Sequence, residues 1–289
     1  MKSLKEKQNI VNELKKIKLP EQKSQEWLDM RNGMITASDF GSILGHNKYS
    51  SRNQVLKNKC FVGKRFEGNK YTRWGEKYES VVTAIYEFKN KEKINEFGCL
   101  QHPKYNFIGA SPDGITDNGR MVEIKVPSTR EIKDNEIPES YYDQMQGQLE
   151  VCDLDECDFV QCKISEYTYL EFCKDSSSEF KGCSINVGKQ FIYSHLNINK
   201  EVHKKWLLSE KSRLKKENKD IINITYWKLD KYSCQLVNRG DTWMKESLPL
   251  FEKFWKEVIY YREHTDEIPK RQKKKLIKMW YIDTPSNIS

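Results

Sequence analysis

Ser111-Pro112-Asp113-Gly114-Ile115-Thr116-Asp117-Asn118-Gly119-Arg120-Met121-Val122-Glu123-Ile124-Lys125-Val126 is the stretch around which the chain is organised. Asp117-Asn118-Gly119 is a turn signal between two extended runs, Phe107 to Ala110 and Met121 to Val126. In the second run Val122, Ile124 and Val126 alternate with Met121, Glu123 and Lys125. A strand's period of two therefore sends Glu123 and Lys125 out of one face and the aliphatic side chains into a core.

The position of Asp113 depends on the turn. A three-residue loop with Gly119 left-handed pairs Thr116 with Arg120 and sets Asp113 opposite Glu123. A two-residue Asn118-Gly119 turn sets it opposite Ile124, on the wrong face. The first register brings two carboxylates about 5 Å apart, which destabilises a sheet unless a positive charge lies between them. A divalent cation suits such a pair, since Mg2+ is usually held by one or two carboxylates plus phosphate oxygens. Pro112 and Gly114 both interrupt the ladder, as expected where a strand is bent to aim a side chain. The plain alternative is a surface hairpin with solvated charges.

Pro112-Asp113, nine residues, then Glu123-Ile124-Lys125 resembles the signature of the PD-(D/E)XK nuclease superfamily. With Ser111 and Gly114 the string is similar to the phage lambda-type exonuclease, or YqaJ-like viral recombinase, branch. Three further blocks carry the same resemblance: Arg31 to Asp39, Trp74-Gly75-x-x-x-Glu79, and Tyr141-x-x-Gln144. The resemblance implies that Arg31, Ser38 and Ser111 hold a 5′-terminal phosphate, with Arg130 a further DNA contact displaced by one residue from the family pattern. It also implies that Glu79, Tyr141 and Gln144 face the metal site. A helix N-terminus with a nearby Arg is physically suited to an anion, although Asp39 in the same turn counts against a simple pocket.

The chain of 289 residues is long enough for a substantial core, and 37% hydrophobic with 32% charged residues reads as a soluble globular protein with a very polar surface. A net charge of +8 suggests a polyanionic partner without proving one. No run approaches a membrane span, and Met1-Lys2-Ser3-Leu4-Lys5 is not followed by an apolar signal core, so an intracellular protein with no membrane partner is expected. The eight cysteines read as reduced thiols. Cys152, Cys157 and Cys162 fit no common zinc spacing, and no C-x-x-C pair supports the iron–sulfur cluster found in some of the wider superfamily.

Residues 1–23 read as a basic N-terminal arm, either a weak amphipathic helix or a loose segment, and 24–289 as one nuclease domain. Ser24 caps a helix that stops at Gly33, and Ser38 is a plausible cap for the next. Residues 46–70 are a basic connection, solvated or touching DNA. A helix follows with Tyr78, Val81, Val82, Ile85 and Tyr86 as its apolar face. Near Ser140 begins another, with Tyr141, Gln144 and Gln148 on one face and Tyr142, Met145 and Leu149 on the apolar one. Phe159 to Ile164 and Tyr167 to Phe172 read as a strand pair. Residues 173–220 read as a polar insertion, partly helical around Val202 to Leu214. Ile222 to Leu229 and Ser233 to Val237 return as strands. A C-terminal helix, Asp241 to about Arg262, presents Phe251, Phe254, Trp255, Val258 and Ile259 to the core. The tail 269–289 is a nuclear address, a DNA-backbone contact or a solvated basic end.

The fold class expected is α/β, a mixed central sheet flanked by helices with a restriction-endonuclease-like core. The resemblance implies a Mg2+-dependent exonuclease (Mn2+ able to substitute, one or two ions) held by Asp113, Glu123 and the Ile124 carbonyl, with Lys125 positioning the attacking water. Its substrate would be double-stranded DNA ends, digested 5′ to 3′ to leave 3′ single strands. Its partners would be a single-strand annealing or recombinase protein and further copies of itself, as a trimer. A structure-specific endonuclease and a non-catalytic DNA-end-binding protein are the alternatives.

Overall fold

The computed structural model describes residues 1–21, 24–63, 68–188, 190–197 and 199–269. In chain order the elements are α1 (Leu4–Lys16), α2 (Gln25–Asn32), β1 (Ile35–Thr36), α3 (Ala37–Leu44), α4 (Arg52–Lys59), α5 (Lys70–Asn90), β2 (Ile94–Asn95), β3 (Leu100–Gln101), β4 (Ile108–Ala110), β5 (Gly114–Thr116) and β6 (Met121–Lys125). There follow α6 (Glu139–Cys152), β7 (Glu156–Tyr167), α7 (Tyr169–Lys174), β8 (Lys181–Asn186), β9 (Phe191–Tyr193), α8 (Lys200–Lys216), β10 (Asn223–Asn238) and α9 (Trp243–Glu263). The main sheet has the order β2-β5-β6-β7-β10-β8-β9, and a smaller one the order β1-β4-β3. β6 is antiparallel to β5 and parallel to β7, so the sheet is mixed, with helices on both faces. This is the α/β class expected.

The alternation along β6 decides how the layers stack. Val122, Ile124 and Val126 pack under α5 with Tyr78, Val81, Val82, Ile85 and Tyr86, all buried. Met121 enters the second core cluster, with Met145 and Leu149 of α6 and with Phe40, Phe251, Phe254 and Val258. Both faces of β6 are thus covered, whereas the sequence pattern implies only one buried face. Gly147 makes the close approach of α6 to α3 possible: a Cβ there would lie 2.1 Å from the Phe40 ring. Two members of the expected apolar faces lie outside: Tyr142 is exposed, and Ile259 is 53% exposed.

Several expectations are corrected. Of the two readings of the N-terminal arm, the amphipathic helix is the one found: α1 buries Val11, and Lys2, Lys7 and Lys15 pair with Asp155, Glu156 and Asp117. The basic connection at 46–70 contains α4, which buries Val55, Leu56 and Lys59. Phe107 to Ala110 does not pair with the strand after the turn, because the chain bends at Ser111 to Asp113 and leaves β4 in the smaller sheet. Tyr167 to Phe172 is not a return strand. Thr168 caps α7 there, with Glu171 completing the capping box, and β7 pairs with β10 instead. The two strands expected at 222–237 are one strand with a register shift between Leu229 and Lys231. Within 173–220, β8 and β9 extend the main sheet, and Cys183 and Ile185 of β8 are buried with Phe180 just before it. Thr36, not Ser38, stands at the N-cap of α3. Residues 270–289, most of the basic tail, lie outside the described residues. The eight cysteines are free thiols. Among the described residues no helix is long and apolar enough to cross a membrane.

Candidate active site

The turn takes the three-residue form. The Thr116 N–H donates to the Arg120 carbonyl at 2.8 Å, and Gly119 has φ 77°, a left-handed conformation that costs glycine least. Gly114 pairs with Val122 and Ile115 with Met121, so one more step outward sets Asp113 opposite Glu123. Asp113 lies just before β5, and its Oδ2 accepts from the Ile124 N–H at 2.7 Å.

Glu123 is fully buried, and its two oxygens are shared among three donors. Lys125 and the Gln144 amide (2.7 Å) both reach Oε1, and the Gln148 amide (2.7 Å) reaches Oε2. The Lys125 ammonium lies 5.2 Å from the centre of the Tyr141 ring. Burial pushes the Asp113 carboxyl well up, the charge of Glu123 pushes it further and Glu79 adds to this, against the opposing pull of Lys125. Burial alone would lower the Lys125 ammonium, but Glu123 and Asp113 together hold it above its ordinary range. Asp113, Glu123, Lys125, Tyr141 and Gln144 are therefore brought together. Glu79 stands exposed on α5, within electrostatic reach of Asp113.

Gln148 is the residue that the sequence reading left out of the site. It lies one helical turn beyond Gln144 on the face shared with Tyr141, so the i, i+4 spacing was the available signal.

Among the described residues no three His, Cys, Asp or Glu side chains form a ready-made metal cluster. The donor set nonetheless suits a hard cation. Two carboxylates crowd together in a desolvated place, with one ammonium offsetting them, and Mg2+ asks of a protein only one or two carboxylates.

Next to this site, α2 and α3 meet at a second cluster. The Arg31 guanidinium donates to the hydroxyls of Ser111 (3.1 Å), Thr36 (3.1 Å) and Ser38 (3.2 Å), and lies 4.7 Å from the Trp27 ring centre. Asp39 does not compete for it as directly as the sequence suggests. The buried Lys59 ammonium pairs with Asp39 at 3.0 Å and also donates to the carbonyls of Arg31 (3.0 Å) and Met34 (2.7 Å). Burial pushes Asp39 up, yet Lys59 and the Thr36 N–H hold it below the usual carboxylate range. Arg31 is thus surrounded by hydroxyls, with its acidic neighbour neutralised from behind. Thr36 and Lys59 were not picked out from the sequence. Lys59 gave no local sign, being twenty positions from Asp39 in a run of basic residues.

Arg130 is placed elsewhere. It donates to the Gln161 side chain at 2.7 Å and to the Glu131 carbonyl at 3.2 Å, with its guanidinium 5.8 Å from the Tyr141 ring centre. It stands beside Lys125 and Tyr141 and makes none of the hydroxyl contacts that surround Arg31.

A mixed sheet with a bent acidic hairpin, a lysine two residues after the glutamate and a facing helix that supplies glutamine is the arrangement that the sequence resemblance implies. Residues 26–155 match the model of the YqaJ-like viral recombinase domain. An uncharacterised protein of Acanthamoeba polyphaga mimivirus is 35% identical over 306 residues, covering 89% of this chain and 56% of that protein. YqaJ of Bacillus subtilis (strain 168) is 33% identical over 137 residues, covering 45% of this chain and 43% of YqaJ. The chain thus spans about half the length of these two relatives. Among solved structures, the alkaline exonuclease LHK-Exo of Laribacter hongkongensis has a similar fold. Its TM-score is 0.54 at 21% identity, covering 84% of this chain and 96% of that one.

Proposed function

We propose that this chain is a Mg2+-dependent deoxyribonuclease that digests duplex DNA from a 5′ end and leaves 3′ single strands for recombination or repair. The observation that carries this reading is the convergence of Asp113, Glu123 and Lys125 beside a guanidinium ringed by hydroxyls. Asp113, Glu123 and the Ile124 carbonyl would hold one or two Mg2+ ions, with Mn2+ able to substitute. When bound, the metal supplies a more acidic water and offsets charge on the phosphate. Lys125, on the face of Glu123, steadies an incoming hydroxide by its charge and stabilises the anionic transition state. Gln144 and Gln148 fix the Glu123 carboxylate, and Tyr141 holds Lys125 in place through its ring face. Glu79 adds negative charge at the edge of the same site.

Arg31, Ser38 and Ser111 would take the 5′-terminal phosphate. Arg is well suited to this because its fork geometry matches phosphate oxygens. Ser111 is two residues before Asp113, so a phosphate held there fixes the distance from the strand's end to the scissile bond. Arg130 would contact the backbone on the other side of Lys125. LHK-Exo has also been solved in complex with dAMP, a mononucleotide of the kind this reaction would release. A trimer and a single-strand annealing or recombinase partner come from the family resemblance, and an intracellular site of action completes the proposal.

The test is digestion of end-labelled duplex by wild type, Glu123→Ala and Lys125→Ala proteins with Mg2+. Wild type should release mononucleotides from 5′-phosphorylated ends and leave a closed circle intact. Equal release by all three proteins would mean that the site is misassigned. Nicking of the circle would replace the exonuclease with an endonuclease.

A further inference from the structure

The catalytic face of the sheet continues well past the catalytic residues. Lys125 pairs across to Gln161 on β7, and Gln161, Lys163, Ser165 and Tyr167 share that face by their period of two. On β10 the matching partners are Lys231, opposite Lys163, and Tyr226, opposite Tyr167, and Tyr226 in turn stands opposite Cys183 of β8. α8 is seated there: its buried His203 lies 3.3 Å from the Cys183 sulfur and 3.2 Å from the Tyr226 hydroxyl. The segment that seemed a polar insertion therefore places a helix on the same side of the sheet as Lys125.

Two features of this face are costly unless a ligand uses them. Lys163 stands directly opposite Lys231, and Lys228 directly opposite Lys181, and like charges so placed destabilise a sheet. Lys163 and Lys181 are tied to backbone carbonyls, which leave their charge in place. The acids in reach are Asp134, at Lys231, and, at Lys228, Asp230 at 3.8 Å and Glu171 within electrostatic reach. On α8, Arg213 pairs with Glu210 and Glu217, and Lys219 with Glu217. Lys200, Lys204, Lys205, Lys211, Lys215 and Lys216 are exposed and have no acidic partner among the described residues. Lys200, Lys204, Lys211 and Lys215 fall in one stripe at spacings of four, seven and four, about 22 Å long at the rise of an α-helix.

We propose that the opposed lysine pairs and the lysine stripe of α8 form a track for the phosphate backbone of duplex DNA, behind the end being cleaved. This rests on the nuclease reading above. From Lys125 to Cys183 the path crosses three strand spacings and six residues of β7, about 25 Å in all. At 3.4 Å of axis per nucleotide of one strand, α8 engages the duplex about seven base pairs from the scissile bond.

The geometry sets a length threshold that catalysis alone does not. Binding is measured with metal chelated, on 5′-phosphorylated hairpin duplexes with stems of six and twenty base pairs. Wild type and a Lys204→Gln/Lys211→Gln/Lys215→Gln protein are compared across a salt series. Wild type should bind the longer stem more tightly. The variant should lose at least about tenfold on that stem at low salt, with its log–log salt slope shallower by about 2 to 3, close to 0.9 per phosphate contact. On the six-base-pair stem the two proteins should agree within about twofold, and their Mg2+-dependent cleavage of it should match, which shows the variant folded. Equal binding of the longer stem by both proteins, or equal losses by the variant on both stems, overturns the track while the nuclease reading stands. A wild-type protein that binds neither stem overturns both.

Discussion

Replacing Gln148 by methionine keeps the length of an unbranched side chain but removes a hydrogen bond from a carboxylate that has no contact with water. Glu123 is fully buried, and Gln148 is the donor to Oε2, whereas Oε1 is shared by Lys125 and Gln144. Hydrogen bonds to charged groups contribute about 1.5–3 kcal/mol, and a buried acceptor left unpaired loses that in full. If the loss falls on the geometry that receives metal and phosphate, cleavage slows by about 10- to 150-fold. Gln144→Met should cost less, because Lys125 still serves Oε1. The assay is single-turnover cleavage of a 5′-phosphorylated duplex over a Mg2+ titration, with duplex binding measured separately after chelation. Gln148→Met should need more Mg2+ and cleave more slowly while binding duplex as wild type does. Wild-type cleavage at every Mg2+ concentration would refute the idea that Gln148 sets the Glu123 carboxylate. A loss confined to duplex affinity would refute it equally.

Asp113→Asn should abolish cleavage yet stabilise the metal-free protein. Because the folded carboxyl is raised, its stabilising contribution is complete below about pH 4, the usual carboxylate value, and is lost as pH rises through the folded value. Thermal melts in EDTA should therefore show wild type falling relative to Asp113→Asn between acid and neutral pH. Parallel curves would contradict the crowding of the two carboxylates. Adding Mg2+ at about 100 times its Kd should raise wild-type stability by about 2.7 kcal/mol and leave Glu123→Ala unmoved, as read by denaturant unfolding. Lys59→Met should destabilise by about 3 kcal/mol, the low end for a broken buried pair because Asp39 keeps 22% of its side chain exposed. It should also weaken discrimination between phosphorylated and hydroxyl 5′ ends. Arg31→Ala should remove that discrimination with no change in Mg2+ requirement, and an unaltered preference would discard the phosphate pocket.

What could be read from the sequence was local. The form of the turn follows from one glycine, and the opposition of Asp113 to Glu123 follows from that turn by counting. The apolar stripe of α5 is a single-helix pattern, and all five of its residues are buried. What escaped depended on distant partners. Lys59 looks like one of many surface lysines until the fold brings Asp39 to it. Tyr167 to Phe172 has the composition of a strand, but Thr168 and Glu171 offer a capping box, and β7 found its antiparallel partner sixty residues later in β10. Tyr142 and Ile259 satisfy a helical period yet stay exposed, because among the described residues nothing buries that edge of their helices. The alternation in β6 was read correctly, but nothing within the strand says that a second helix covers the face of Glu123.

The docking of α1 ties the opening residues to the hairpin of Asp113 and Glu123. Gln8 donates to the Asn118 side chain at 3.0 Å and Lys15 reaches Asp117, so two points about two turns apart on one helix grip the loop that sets the hairpin's register, while Lys7 pairs with Glu156 at the start of β7. Trimming the first dozen residues would thus loosen the loop that brings Asp113 opposite Glu123. Recombinant protein altered there could fold, bind DNA and still be taken for an inactive enzyme.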